Sequence, residues 1–270
     1  MSVTVHPMRQ WVRTFQALLI KKRAEYRYYR LDYIVGVLIK FIFFVALLLS
    51  VGADDSRRLL VGISAFVLWY FSAHALAKLG NVFIEEAVLG TLPQLLMTRT
   101  GLMRFAVVAG FAEVAVSTVW VSAFLVLVAA ARLVPLVEMA ALLSAPITVG
   151  FAVAGLLCLS GVIGIGLALF GLSVAWKRVG SFTEVLVFYM LFFSGFFIPP
   201  ERLPTTVTLF GYVSPLYWAV RAMTNLLHGL SPVTEYVVMA LVAVGWNALG
   251  LVLTGYLLRR AKARGTLTHY

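Results

Sequence analysis

Six stretches of this chain are apolar over about the length that a helix needs to cross a bilayer, roughly 20 residues. Cation-bearing connections separate them. Read from the sequence, they cover residues 33–51, 59–79, 103–131, 142–172, 182–198 and 233–258. Periodicity alone would also allow buried strands in the Val-, Phe- and Leu-rich first and fifth stretches. Their length favours helices, and lipid offers no partner to an open strand edge. The expected fold is therefore an all-α integral membrane domain with six transmembrane helices.

Composition agrees: 62% of the residues are hydrophobic and 12% charged, and the mean hydropathy is +0.97. The net charge of +11 does not point to nucleic acid, because a nucleic-acid-binding surface gathers its cations on one water-exposed face. Here they sit between apolar runs, as in loops held at an anionic membrane surface. The single cysteine, Cys158, lies inside an apolar run, so no intrachain disulfide forms and a packed, inert thiol is expected. The first long apolar run begins near Tyr33 and no small-residue cleavage site follows, so no cleaved signal peptide is expected.

Ahead of the first span, residues 1–32 form a basic unit. Trp11, Phe15, Leu18 and Leu19 recur at helical spacing while Arg9, Arg13 and Gln16 take other faces. Such a helix lies on a membrane surface, and Tyr26, Tyr28 and Tyr29 among cations suit the headgroup layer. Orientation follows from alternate loops, since cytoplasmic loops hold the excess of Lys and Arg. With the N-terminus inside, the first 32 residues contribute seven cations, joined by Lys78, Arg99, Arg104, Lys177, Arg178, Arg259, Arg260, Lys262 and Arg264. The other side holds only Arg57, Arg58, Arg132, Arg202 and Arg221. This predicts a multi-pass protein of the inner (plasma) membrane, residues 33–270 forming the membrane domain and both termini being cytoplasmic.

Two connections exceed short loops. In residues 80–101, Ile84, Val88, Leu92, Leu95 and Leu96 recur at helical spacing, which predicts an amphipathic cytoplasmic helix over about residues 82–98. Residues 199–232 open on Pro199-Pro200, which stops a helix. The segment that follows, punctuated by Pro204, Gly211 and Pro215, is too polar for a span and too apolar for a free loop. Short re-entrant helices over about residues 199–230, dipping into the outer leaflet, are expected there.

Several chemistries find no support. A phosphate-cradling GxxxxGK[ST] loop is missing, since no glycine precedes a lysine. The Gly161-Val-Ile-Gly-Ile-Gly run sits inside an apolar span, where small residues serve close helix approach. Glu85-Glu86 lack the arginine that an intramembrane EExxxR protease needs, Leu89 and Gly90 standing there instead. Of four histidines only His74 lies near that depth, so no metal-ligand cluster is visible. Two exposed glutamates on a cytoplasmic helix are the ordinary reading. Lys40 and Glu113 are intramembrane charges about two turns inside their spans, where snorkelling or mutual pairing is expected. The aromatics Phe41, Phe43, Phe44, Phe188, Phe192 and Phe193 are candidates to line a path for apolar cargo, with Pro199 and Pro200 at its exit.

The order of these features resembles the type 2 ABC exporter permeases, six-span subunits that dimerise and each dock a cytoplasmic nucleotide-binding subunit. In that family an acid on the coupling helix precedes a Gly-Thr-Leu-Glu motif; here Glu85 and Glu86 precede Gly90-Thr91-Leu92-Pro93-Gln94. After the fifth span the family shows Ser-Gly, aromatics, proline, Leu-Pro, and an Asn-Pro-Leu-Tyr element followed by arginine. This chain has Ser194-Gly195-Phe196-Phe197-Ile198-Pro199-Pro200, Leu203-Pro204, Ser214-Pro215-Leu216-Tyr217 and Arg221. The N-terminal helix is similar to the family's connecting helix. The resemblance implies a permease without catalytic residues, cofactor or metal of its own, ATP and Mg being bound by a separate ATPase subunit. Glu85, Glu86, Gly90, Thr91, Leu92 and Leu95 would couple to that ATPase. It also implies a second copy or a related permease as partner, lipid around both, and no nucleic acid. Hydrophobic drugs, natural products, peptide antibiotics and lipid-linked glycans remain open as cargo, and a secondary transporter is the alternative class.

Overall fold

The computed structural model describes residues 7–51, 55–98, 101–132, 134–195 and 204–265. Within them all regular structure is helical, in the order α1 (Pro7–Tyr28), α2 (Arg30–Val51), α3 (Ser56–Val88), α4 (Leu92–Met97), α5 (Leu102–Ala130), α6 (Leu136–Leu142), α7 (Ala145–Trp176), α8 (Gly180–Phe192), α9 (Thr205–Tyr212), α10 (Pro215–Leu227) and α11 (Val233–Ala263). Five of these, α2, α3, α5, α7 and α11, are long and apolar enough to cross a membrane. The chain is a multi-pass membrane protein.

The sixth expected span is the exception. α8 has 13 residues, about 20 Å of helix against a hydrocarbon core of about 30 Å. It stops before the proline pair named in the sequence. The Ser194 hydroxyl donates to the Leu191 carbonyl at 2.7 Å, and Gly195 turns the chain with φ +80°, a conformation open to glycine at little cost. Pro199 and Pro200 lie outside the described residues.

α7 is the centre of the bundle, with α11, α3 and α10 packed on it. Its glycines explain why. A Cβ on Gly164 would stand 2.5 Å from the Asn247 backbone nitrogen, and one on Gly250 would stand 2.3 Å from the Gly164 carbonyl oxygen. α7 and α11 therefore touch backbone to backbone, the use expected of small residues between membrane helices. Thr254 donates to the Leu167 carbonyl at 2.6 Å and Asn247 to that of Ser160 at 2.9 Å, satisfying polar groups across the same seam.

Two apolar cores follow each other along the bundle. One joins Phe44, Phe66, Phe124, Cys158 and Met223. The other gathers Leu79, Phe83, Leu92, Phe105, Phe170 and Leu258 at the end where α3 meets α4. α10 is built into the first, burying Leu216, Tyr217, Ala219, Val220 and Met223. α1 follows α5 in the same direction, from Arg104 donating to Gln10 at 2.8 Å to Tyr26 and Trp120 with ring centroids 5.1 Å apart.

Candidate functional site

α3 runs unbroken from Ser56 to Val88, so residues 82–88 of the expected coupling helix continue the second span. Only Leu92–Met97 forms a separate helix. Between them Gly90 adopts φ +69°, and the Thr91 amide donates to the Glu86 carbonyl at 3.0 Å. The result is a sharp elbow at the tip of a long rigid rod. Leu92 pins it into the second core, with Leu95 packed beside it.

The two glutamates, read in the sequence as a solvated face, are engaged within the chain. Glu86 is 7% exposed and accepts from Lys21 of α1 and from the Thr91 hydroxyl, both at 2.5 Å. Glu85 pairs with Lys78 one face along α3. The tip instead presents apolar side chains to the outside: Val88 is 76%, Leu89 62% and Met97 81% exposed. Sequence periodicity places Val88 on the apolar stripe of an amphipathic helix, together with Ile84, Leu92, Leu95 and Leu96. Continuation of α3 to Val88, followed by the Gly90 turn, puts it outside.

Beside this elbow lies a second charged cluster. Lys22 Nζ sits 3.6 Å from Glu113 of α5 and 3.3 Å from Glu25. His74 Nδ1 lies 3.6 Å from the other Glu113 oxygen. Burial by itself lowers the Lys22 ammonium from its ordinary 10.5. The charges of Glu113 and Glu25 outweigh that penalty and hold it above the usual lysine value. Of the two arrangements expected for Lys40 and Glu113, snorkelling or mutual pairing, the pairing is not made. Lys40 Nζ instead lies over the Tyr70 ring, 4.9 Å from its centroid.

Lys40 also borders an open groove of about 470 Å³ between α2, α3 and α8, with Phe43, Trp69, His74, Thr183 and Phe188 among its walls. Of the aromatics expected on a cargo path, Phe43 and Phe188 line this groove, and Phe192 is exposed on α8. Phe44 does not face open space: it is 2% exposed, wedged between Phe66 and Phe124. Phe41 packs half-buried against the same core. Phe193 stands against Tyr189 and Phe210, where the Tyr189 hydroxyl donates to the Phe210 carbonyl. No group of three metal-ligating side chains stands together among the described residues.

The site thus consists of an apolar elbow at one end of a continuous helix, the Lys21–Glu86 ion pair tying that elbow to α1, and a groove farther along the same helix. A comparison with curated proteins found no match. Residues 10–228 match the ABC-2 type transporter family, and on a match covering most of its length the chain belongs to that family, as a membrane transport subunit.

Proposed function

We propose that the chain is the permease subunit of an exporter driven by a separate cytoplasmic ATPase, and that it works as a dimer with a second copy or a related permease. The observation that carries this reading is the elbow Val88–Met97. Its apolar tip is exposed and its base is locked by Lys21–Glu86–Thr91. An exposed apolar tip on an otherwise anchored turn suits insertion into a partner's groove. Because α3 is continuous, displacement of the tip by ATP-driven closure is transmitted along the rod to His74 and the α2/α3/α8 groove. Two-state repacking of such rigid elements suffices for transport.

On this reading the termini and the elbow face the cytoplasm, in keeping with the bias of Lys and Arg. The groove forms part of an outward path in the cell inner membrane. Its aromatic and aliphatic walls suit a hydrophobic or amphipathic cargo, such as a drug, a natural product or a peptide antibiotic. The test is co-purification of a nucleotide-binding ATPase with the chain, followed by measured ATP hydrolysis. A V88D/L89D variant alters only exposed side chains. It should retain its melting temperature yet lose ATPase association at least tenfold, on the scale of a buried interface anchor. Unchanged association would remove the docking role from the elbow.

A further inference from the structure

Arg23, Arg27 and Arg30 recur at spacings of four and three residues, so they share one stripe of the α1 end and its junction with α2. They line a groove of about 640 Å³ against α5, whose other walls are Leu19, Tyr26, Val116 and Val119. Among the described residues no carboxylate forms an ion pair with any of the three. Two acids lie near in sequence: Asp32, two residues past Arg30, forms no ion pair with it, and Glu25 is engaged by Lys22 at 3.3 Å and by the Tyr33 hydroxyl at 2.9 Å. Arg30 opens the first apolar span, which sets the stripe at headgroup depth. Below it, α5 carries an exposed apolar face through Val119, Leu125 and Val126.

We infer that this groove is a binding site for an anionic glycerophospholipid, with the phosphate held by the arginines and an acyl chain laid along Val116 and Val119. Each half of the ligand answers a separate feature. Guanidinium forks match phosphate oxygens in pairs, and three cations with no ion-paired acid call for an anion. The α5 wall offers apolar contact that a soluble phosphate would leave unused. Basic pockets between helices at a membrane surface suit anionic headgroups. The inference rests on the membrane character of the chain and is independent of which cargo it moves.

The experiment measures binding of a photo-crosslinkable phosphatidylglycerol to the full-length chain in phosphatidylcholine nanodiscs. The R23Q/R27Q/R30Q variant should lose about a hundredfold in affinity, near the sum expected for three membrane-surface cations. Because fewer cations could disturb insertion, V119W offers a charge-neutral second variant. It fills the groove from α5 and should also displace the lipid while the protein melts normally. R259Q/R260Q removes two exposed cations on α11 and should leave binding unchanged. Equal loss in R259Q/R260Q and the groove variants would reduce the effect to net charge and overturn the site. Competition by glycerophosphoglycerol as strong as by the intact lipid would make it a phosphate site and overturn the lipid assignment. Loss of the cross-link on assembly with the ATPase or a second permease would assign the groove to a protein and overturn it likewise.

Discussion

Glu113 shows what a buried charge does in this bundle. It is 6% exposed and faces Lys22 of α1 and His74 of α3, so one carboxylate ties three helices. Replacing it with leucine leaves Lys22, only 13% exposed at its side chain, without its main counter-charge. Breaking one side of a buried pair costs about 3–5 kcal/mol, whereas replacing both members with apolar groups costs far less. E113L should therefore lower the melting temperature in detergent strongly, and K22M/E113L should recover most of the loss. Recovery absent from the double variant would show that the two groups do not interact. The same series has a predictable pH course. The folded-state value of Lys22 is raised above 10.5, so its contribution is fully present below that value and lost only as pH rises through the folded value. The wild-type excess over K22M should hold across neutral pH and fade in strong alkali. The sequence exposed Glu113 and Lys40 as charges within apolar runs. It gave no sign of their partners, because Lys22 lies far from Glu113 in sequence, as Tyr70 does from Lys40, and only folding brings them together.

At the scale of elements, the α7/α11 seam carries the bundle. Gly250 of α11 faces the Gly164 carbonyl, and an added methyl would stand 2.3 Å from that oxygen. Backbone on both sides cannot yield as a side-chain tip does, so G250A should cost about 1–3 kcal/mol by overpacking. Gly245 on the same helix has nothing within 4 Å of a built Cβ. There the change to alanine should stabilise by about 0.5–1 kcal/mol through helix propensity. Thermal unfolding of the two variants separates packing from propensity, and equal shifts would deny the seam. This seam was legible in the sequence, since the glycine run in an apolar span has that one economical use. The end of α8 was not. Apolarity continues past Phe192, and the Gly195 turn depends on a backbone conformation that hydropathy does not encode. The elbow was half legible: its residues were picked out by spacing. Assignment of residues 82–88 to α3 depends on continuous helix, whereas the fall in apolarity after residue 79 ends the span there when the sequence is read alone.

For the whole molecule, the segment after α8 divides into two parts with different mechanical standing. α10 is packed on α7, α11 and α3, with Gly161 so close to Pro215 that a Cβ would meet its ring at 2.7 Å. Moving it would open the core, so its packing suits a brace. α9 is held more lightly, exposing Leu209 and Phe210 while Tyr189 of α8 donates to the Phe210 carbonyl. An exit gate, if export proceeds along α8, has to use the part that moves at low cost, and that part is α9. Cysteines in place of Phe193 and Phe210, whose rings lie 6.2 Å apart, can be joined by a short bifunctional thiol reagent. The cross-linked protein should keep its ATPase partner and its melting temperature yet lose export in vesicles, with export returning when a cleavable linker is reduced. A second pair joining α10 to α7 should leave export intact, because a brace does not change position during the cycle. Full export with the α8/α9 link in place would return α9 to a purely structural role.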